Sequence, residues 1–141
     1  MRSRKRILLV DDEDMILDIL TPLLQDEGYD VVTARHPGIA VVRSVEIDLI
    51  ILDLKLSEKS DFEGQTVMRH LWEDKDCSVP IIIYSGHISS SRVNDSIDEI
   101  VRVYGRGRKI YKCVEKGGGV MNLINAVNEY FNAEPVAVSA V

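Results

Sequence analysis

Asp48-Leu49-Ile50-Ile51-Leu52-Asp53 is an unbroken aliphatic run held between two carboxylates. Consecutive branched residues without polar alternation suit a strand buried on both faces, as in the middle of a parallel sheet. An acid ending such a strand lies where open α/β sheets bind ligands, just beyond the carboxyl ends of the strands. A turn-initiating Asp explains one such residue equally well. The first apolar run repeats the pattern, however: Ile7-Leu8-Leu9-Val10 leads straight into Asp11-Asp12.

Outward from these runs, helical and strand patterns alternate. Met15, Ile16, Ile19, Leu20, Leu23 and Leu24 form a helical stripe, with Gly28 as its stop and Pro22 expected to kink it. Residues 29–34 are rich in β-formers, and Pro37 opens a second helix reaching about residues 44–46. A strand over 48–54 is followed by a polar loop over 55–63 and a helix carrying Val67, Met68, Leu71 and Trp72. Residues 79–84 read as another buried strand ending at Ser85-Gly86-His87. Ser89-Ser90-Ser91 then caps a helix through Val93, Ile97, Ile100, Val101 and Tyr104. Gly105-Arg106-Gly107-Arg108 breaks that helix as a basic turn. Residues 109–115 are the last strand, and Val120, Leu123, Ile124, Val127 and Phe131 mark the last helix. Repeated βα units with short connections predict one parallel sheet with helices on both faces, commonly in the order 2-1-3-4-5. Strands 1 and 3 are neighbours in that order, so Asp11, Asp12 and Asp53 converge.

The chain has 141 residues, 45% of them apolar, which suits one domain with an ordinary core. Its 17 basic and 23 acidic residues give a net charge of −6, which argues against nucleic acid as a direct partner. The start, Met1-Arg2-Ser3-Arg4-Lys5-Arg6, precedes an apolar run too short for a signal peptide. No run approaches the ~20 apolar residues of a membrane span, so a soluble cytoplasmic chain with no membrane partner is expected. Cys77 and Cys113 lack metal spacing and read as reduced thiols. Residues 1–132 are expected to form the domain, and 133–141 a flexible tail.

Converging carboxylates repel one another unless a cation compensates. Oxygen-only donors favour a hard ion, Mg²⁺ or Mn²⁺, which accepts a phosphate oxygen alongside carboxylates. A carboxylate beside such an ion is a nucleophile towards phosphorus, giving an aspartyl phosphate. Ser85 offers a hydroxyl to the transferred group, and a lysine ending the fifth strand offers an ammonium.

Three stretches, Leu8-Leu9-Val10-Asp11-Asp12-Glu13, Leu49-Ile50-Ile51-Leu52-Asp53 and Val79-Pro80-Ile81-Ile82-Ile83-Tyr84-Ser85-Gly86, fall in order at strand ends. Together they resemble the receiver domain of two-component response regulators, over roughly residues 6–131. The resemblance implies a flavodoxin-like doubly wound (βα)5 fold and Asp53 as phosphoacceptor. It implies Mg²⁺ bound directly by Asp12, with Asp53 and the backbone carbonyl of Lys55, and with Asp11 assisting through water. Ser85 becomes the hydroxyl that moves to meet the phosphoryl group. A lysine closes the site; Lys116 in Cys113-Val114-Glu115-Lys116 is favoured, and Lys112 is the alternative. The implied donor is a sensor histidine kinase or a histidine phosphotransfer protein. The chain is then no enzyme but a signalling domain that promotes its own phosphoryl transfer and dephosphorylation. Its switched surface comprises helix 4, strand 5 and helix 5 of the repeat and serves an unknown downstream protein. With no output domain after residue 132, a single-domain regulator is expected.

The sequence departs from the pattern it resembles. Gly117 follows Lys116 where proline is typical, and Cys113 stands where an aromatic read-out residue falls, with Tyr111 a substitute from a shifted register. Ser57 replaces a usual proline, and residues 58–63 lengthen the loop. Lys55 and His87, two residues past Asp53 and Ser85, are placed at the pocket mouth to set the lifetime of the phosphoryl group. Glu13 and Asp14 are expected to serve the positive N-terminus of the first helix. These departures leave an alternative, a degenerate receiver that recruits partners without phosphorylation. A Mg²⁺-dependent phosphohydrolase using Asp53 is opposed by Lys55, which stands where such enzymes carry a second Asp.

Overall fold

The computed structural model describes residues 4–35, 46–53, 79–86 and 110–139, with backbone alone at Ser85, Ile110 and 133–139. Strands β1 (Arg6–Val10), β2 (Asp30–Ala34), β3 (Leu49–Leu52), β4 (Ile81–Ser85) and β5 (Ile110–Glu115) form one sheet. All pair in parallel, in the order β2-β1-β3-β4-β5. This is the doubly wound order expected of the sequence. Two helices belong to the described residues, α1 (Asp14–Asp26) and α2 (Val120–Ser139). The helices expected near 37–46, 64–72 and 89–104 lie outside them, except that Glu46 is described and is a turn residue with φ 59°.

The aliphatic runs explain the sheet's position. Ile7, Leu9, Leu49, Ile51, Ile82 and Tyr84 share a buried cluster with residues of both helices, among them Leu20, Leu24, Leu123, Val127 and Phe131. Leu8, Ile50, Leu52, Ile81 and Ile83, which alternate with them, are equally buried. Both faces of the sheet are therefore covered, as a non-alternating strand requires. Each such side chain contributes about 1.5–3 kcal/mol on removal from water.

The α1 face differs from the expected stripe. Leu17, Leu20 and Leu24 are its buried residues, while Met15 is 71% and Ile19 41% exposed. At about 100° per residue, positions 15 and 19 fall on the far side of the helix from that trio. The helix continues through Pro22 and ends as Gly28 predicts. Gly28 N–H donates to Gln25 O (2.9 Å) and Tyr29 N–H to Leu24 O (3.2 Å), a Schellman ending with Gly28 at φ 99°.

At the other edge, Ile81 pairs with Ile110 and Ile82 with Lys112, so Tyr111 is the extra residue of a β-bulge. The bulge directs Tyr111 to α2, where its hydroxyl donates to Glu129 at 2.9 Å and its ring meets Tyr130 edge-on at 4.9 Å. The boundary expected at residue 132 is not an element boundary, because α2 continues to Ser139. Pro135 removes one N–H donor, but Ala133, Glu134 and Ala137 around it favour helix. Among the described residues no helix is long and apolar enough to cross a membrane.

Candidate functional site

The parallel ladder runs one residue beyond the strands and fixes the backbone of the acids. Asp53 N–H donates to Val10 O at 3.0 Å, and Asp11 N–H donates to Ala34 O at 3.1 Å. Val10 lies opposite Leu52 in the register, so Asp11 and Asp53 leave the sheet as neighbours. Asp11 Oδ1 then accepts the N–H of Glu13 at 2.9 Å, turning the chain into α1. Oxygens of Asp11, Asp12, Glu13 and Asp53 all lie within 4.8 Å of one another.

Lys116 closes this group of acids. It is the first residue after β5 and begins a 3₁₀ turn over Lys116–Gly118. Its Nζ lies 3.0 Å from Asp11 Oδ2, 3.4 Å from Asp53 Oδ2 and 3.6 Å from Glu13 Oε1, with the side chain only 15% exposed. The ammonium also stands 6.0 Å from the centre of the buried Tyr84 ring, at the outer reach of a cation–π contact. Lys112 instead meets Glu129 at 3.5 Å and is 46% exposed. It lies four residues back along the strand, roughly 13 Å from the sheet's carboxyl edge at 3.3 Å per residue.

Burial, then the charge of Asp11, pushes the Asp53 carboxyl up from 3.8 to about 7, despite Lys116. Asp11 is also raised, chiefly by burial, with the Glu13 N–H and Lys116 opposing. Burial pulls the Lys116 ammonium down, but Asp53 and Asp11 outweigh it and the net shift is upward. The pocket thus holds more buried negative charge than one ammonium neutralises. An all-oxygen donor set with that excess fits a hard divalent ion. Asp11, Asp12 and Asp53 are the residues that would hold it.

The backbone of Ser85 ends β4 opposite Glu115, one residue past the position level with Asp53. Lys55 and His87 lie outside the described residues, as does Cys77. Cys113 is exposed and lines a groove of about 340 Å³ between β5 and α2, with Lys112, Glu115, Asn122 and Glu129. The sequence places Glu13 at the helix terminus, yet its carboxylate joins the pocket. The unbroken acidic run at 11–14 was the available signal.

Sheet order and pocket together define a class, a doubly wound α/β protein with an acid-and-lysine site at its topological switch point. The chain belongs to the response regulator receiver domain family, whose model matches residues 7–104. It is 32% identical over 107 residues to the CAI-1 autoinducer sensor kinase/phosphatase CqsS of Vibrio cholerae, covering 68% of this chain and 15% of that protein. It is 34% identical over 82 residues to the DNA-binding response regulator MtrA of Mycolicibacterium smegmatis, covering 57% of this chain and 34% of that protein. The chain therefore spans about a third or less of the length of these relatives. A response regulator receiver domain protein from Methanospirillum hungatei JF-1 has the same fold, with a TM-score of 0.72 at 24% identity over 96% of this chain and 99% of that one.

Proposed function

We propose that this chain is a phosphorylatable receiver, in which Asp53 accepts a phosphoryl group from a histidine kinase or a histidine phosphotransfer protein. The reading is carried by Asp53 itself. Its carboxylate is 6% exposed, lies 3.4 Å from the Lys116 ammonium, and shares a pocket with Asp11 and Asp12. An ionised Asp53 oxygen forms the new O–P bond as the P–N bond of phosphohistidine breaks. The electron pair leaves with the imidazole nitrogen, which takes a proton from solvent. Lys116 holds positive charge against the transferred group, and the Ser85 hydroxyl is the further donor. Bound Mg²⁺, held by Asp11, Asp12, Asp53 and the Lys55 carbonyl, would neutralise charge on the phosphoryl oxygens. Lys55 and His87 set the lifetime of the product by governing water at the pocket mouth. The phosphoryl group carries about −1.5 to −2 where the carboxylate carried a single charge, and the difference shifts the surface around β5 and α2 for a downstream protein.

Incubation with acetyl phosphate and Mg²⁺, followed by intact-mass measurement, tests this reading. One phosphoryl group is expected on the wild type, none on Asp53→Asn and none in excess chelator. The second reading, a phosphorylation-independent interaction module, draws support from exposed Cys113 at the read-out position. An unmodified wild type that also fails to bind beryllofluoride would overturn the phosphorylatable reading and favour this one.

A further inference from the structure

We infer that Asn122 is a positioning residue for Lys116, acting through the carbonyl of Gly118; this rests on the reading of the pocket proposed above. Lys116 leaves the sheet directly after Glu115, the last paired residue of β5, and the turn that follows holds the other side of its backbone. That turn continues as Gly117, Gly118 and Gly119, all exposed. Glycines bring no side chain to pack and the greatest conformational freedom to lose. Two of the turn's bonds are local backbone contacts, Gly119 N–H to Lys116 O at 3.2 Å and Asn122 N–H to Gly119 O at 3.3 Å. The third comes from a side chain: Asn122 Nδ2 donates to Gly118 O at 2.8 Å.

Asn122 sits in the first turn of α2, directly before Leu123 and Ile124, which are fully or almost fully buried in the core. Its amide therefore ties a turn without apolar anchors to a helix fixed by packing. The fit leaves no slack, since a Cβ on Gly118 would come within 2.6 Å of Asn122 Nδ2. A methyl there displaces the Asn122 amide and breaks the bond it makes. Gly118 and Asn122 thus form one device, and losing either partner loosens the backbone on the C-terminal side of Lys116.

Asn122→Asp separates this role from simple folding support. It keeps the side-chain shape, and ionised it cannot donate to a carbonyl. An acid in the first turn of a helix is favourable for the helix itself. Asn122→Ala controls for the added charge. The direct readout is the Nζ resonance of Lys116 by NMR in Mg²⁺-free protein, beside thermal midpoint and the rate of phosphorylation from acetyl phosphate. In Asn122→Asp, Asn122→Ala and Gly118→Ala the Lys116 resonance should move towards that of an exposed lysine. Phosphorylation should slow by about three- to tenfold, the scale of one hydrogen bond, with the Asn122→Asp midpoint no lower than wild type. The double variant Gly118→Ala/Asn122→Ala should be no worse than either single. An unchanged Lys116 resonance in Asn122→Asp, or additive effects in the double variant, would overturn the inference. A wild type that takes no phosphoryl group refutes the functional reading alone, because the resonance still decides the positioning.

Discussion

Lys116 and Lys112 have the same charge and the same strand parity, yet only one meets the pocket. The difference is where β5 ends, because a lysine past the last paired residue reaches the carboxyl edge and one within the strand does not. Lys116→Met leaves Asp11 and Asp53 buried without their ammonium. It should destabilise the Mg²⁺-free protein by on the order of 3 kcal/mol near neutral pH and tighten Mg²⁺ binding, since a competing cation is gone. Lys112→Ala removes an exposed pair and should change neither quantity measurably. Urea denaturation and Mg²⁺ titration of both variants check this contrast. The acids were legible in the sequence because a carboxylate ending an aliphatic run marks a strand's exit. Spacing favours Lys116 over Lys112 without excluding Lys112, because spacing alone does not say which residue is last in a strand. Glu13 reads as a helix-start acid in the sequence because a carboxylate there serves the helix dipole equally well.

The end of α1 was more legible than its face. Gly28 announced the end of α1, and its φ of 99° shows why glycine is required there. A Cβ at Gly28 would meet nothing within 4 Å, so substitution costs backbone strain alone. Gly28→Ala should lower stability by about 1–2 kcal/mol and leave Mg²⁺ affinity unchanged, which paired denaturation and titration curves will show. The face of α1 was harder, because its apolar positions cover more of the circumference than one neighbour can bury, and only packing selects Leu17 over Met15. The bulge at Tyr111 left no periodic trace, since a strand of six residues is too short for one extra residue to register as a break in its pattern. The continuation of α2 past Asn132 was hidden by Pro135, which ordinarily signals a break. In each case tertiary contacts decide between locally similar alternatives.

The sheet order was readable because repeated βα units with short connections leave few arrangements, and that order brings two strand-end acids together. The resulting charge makes the stability of the whole molecule depend on pH and metal. Asp53 has its carboxyl raised from 3.8 to about 7, so between those values the folded chain keeps a proton that the unfolded chain has released. This contribution to stability is full below 3.8 and is lost as pH rises through about 7. Asp11 is raised as well and acts with the same sign. Lys116, raised from 10.5, stays charged throughout this range and contributes no slope. Without metal, Asp53 should therefore remove roughly 2–4 kcal/mol of stability between about pH 5 and about pH 8. Subtracting the profile of Asp53→Asn isolates that loss from other titrating groups. Mg²⁺ favours the ionised carboxylates, so its stabilisation should grow over the same interval, reaching ~2.7 kcal/mol where its concentration is a hundredfold above Kd. Urea denaturation across this range, in chelator and in Mg²⁺, measures both slopes. If Asp53→Asn kept the wild-type slope in chelator, the excess charge would not reside on Asp53. If the Mg²⁺ increment were independent of pH, the ion would not be held by these carboxylates.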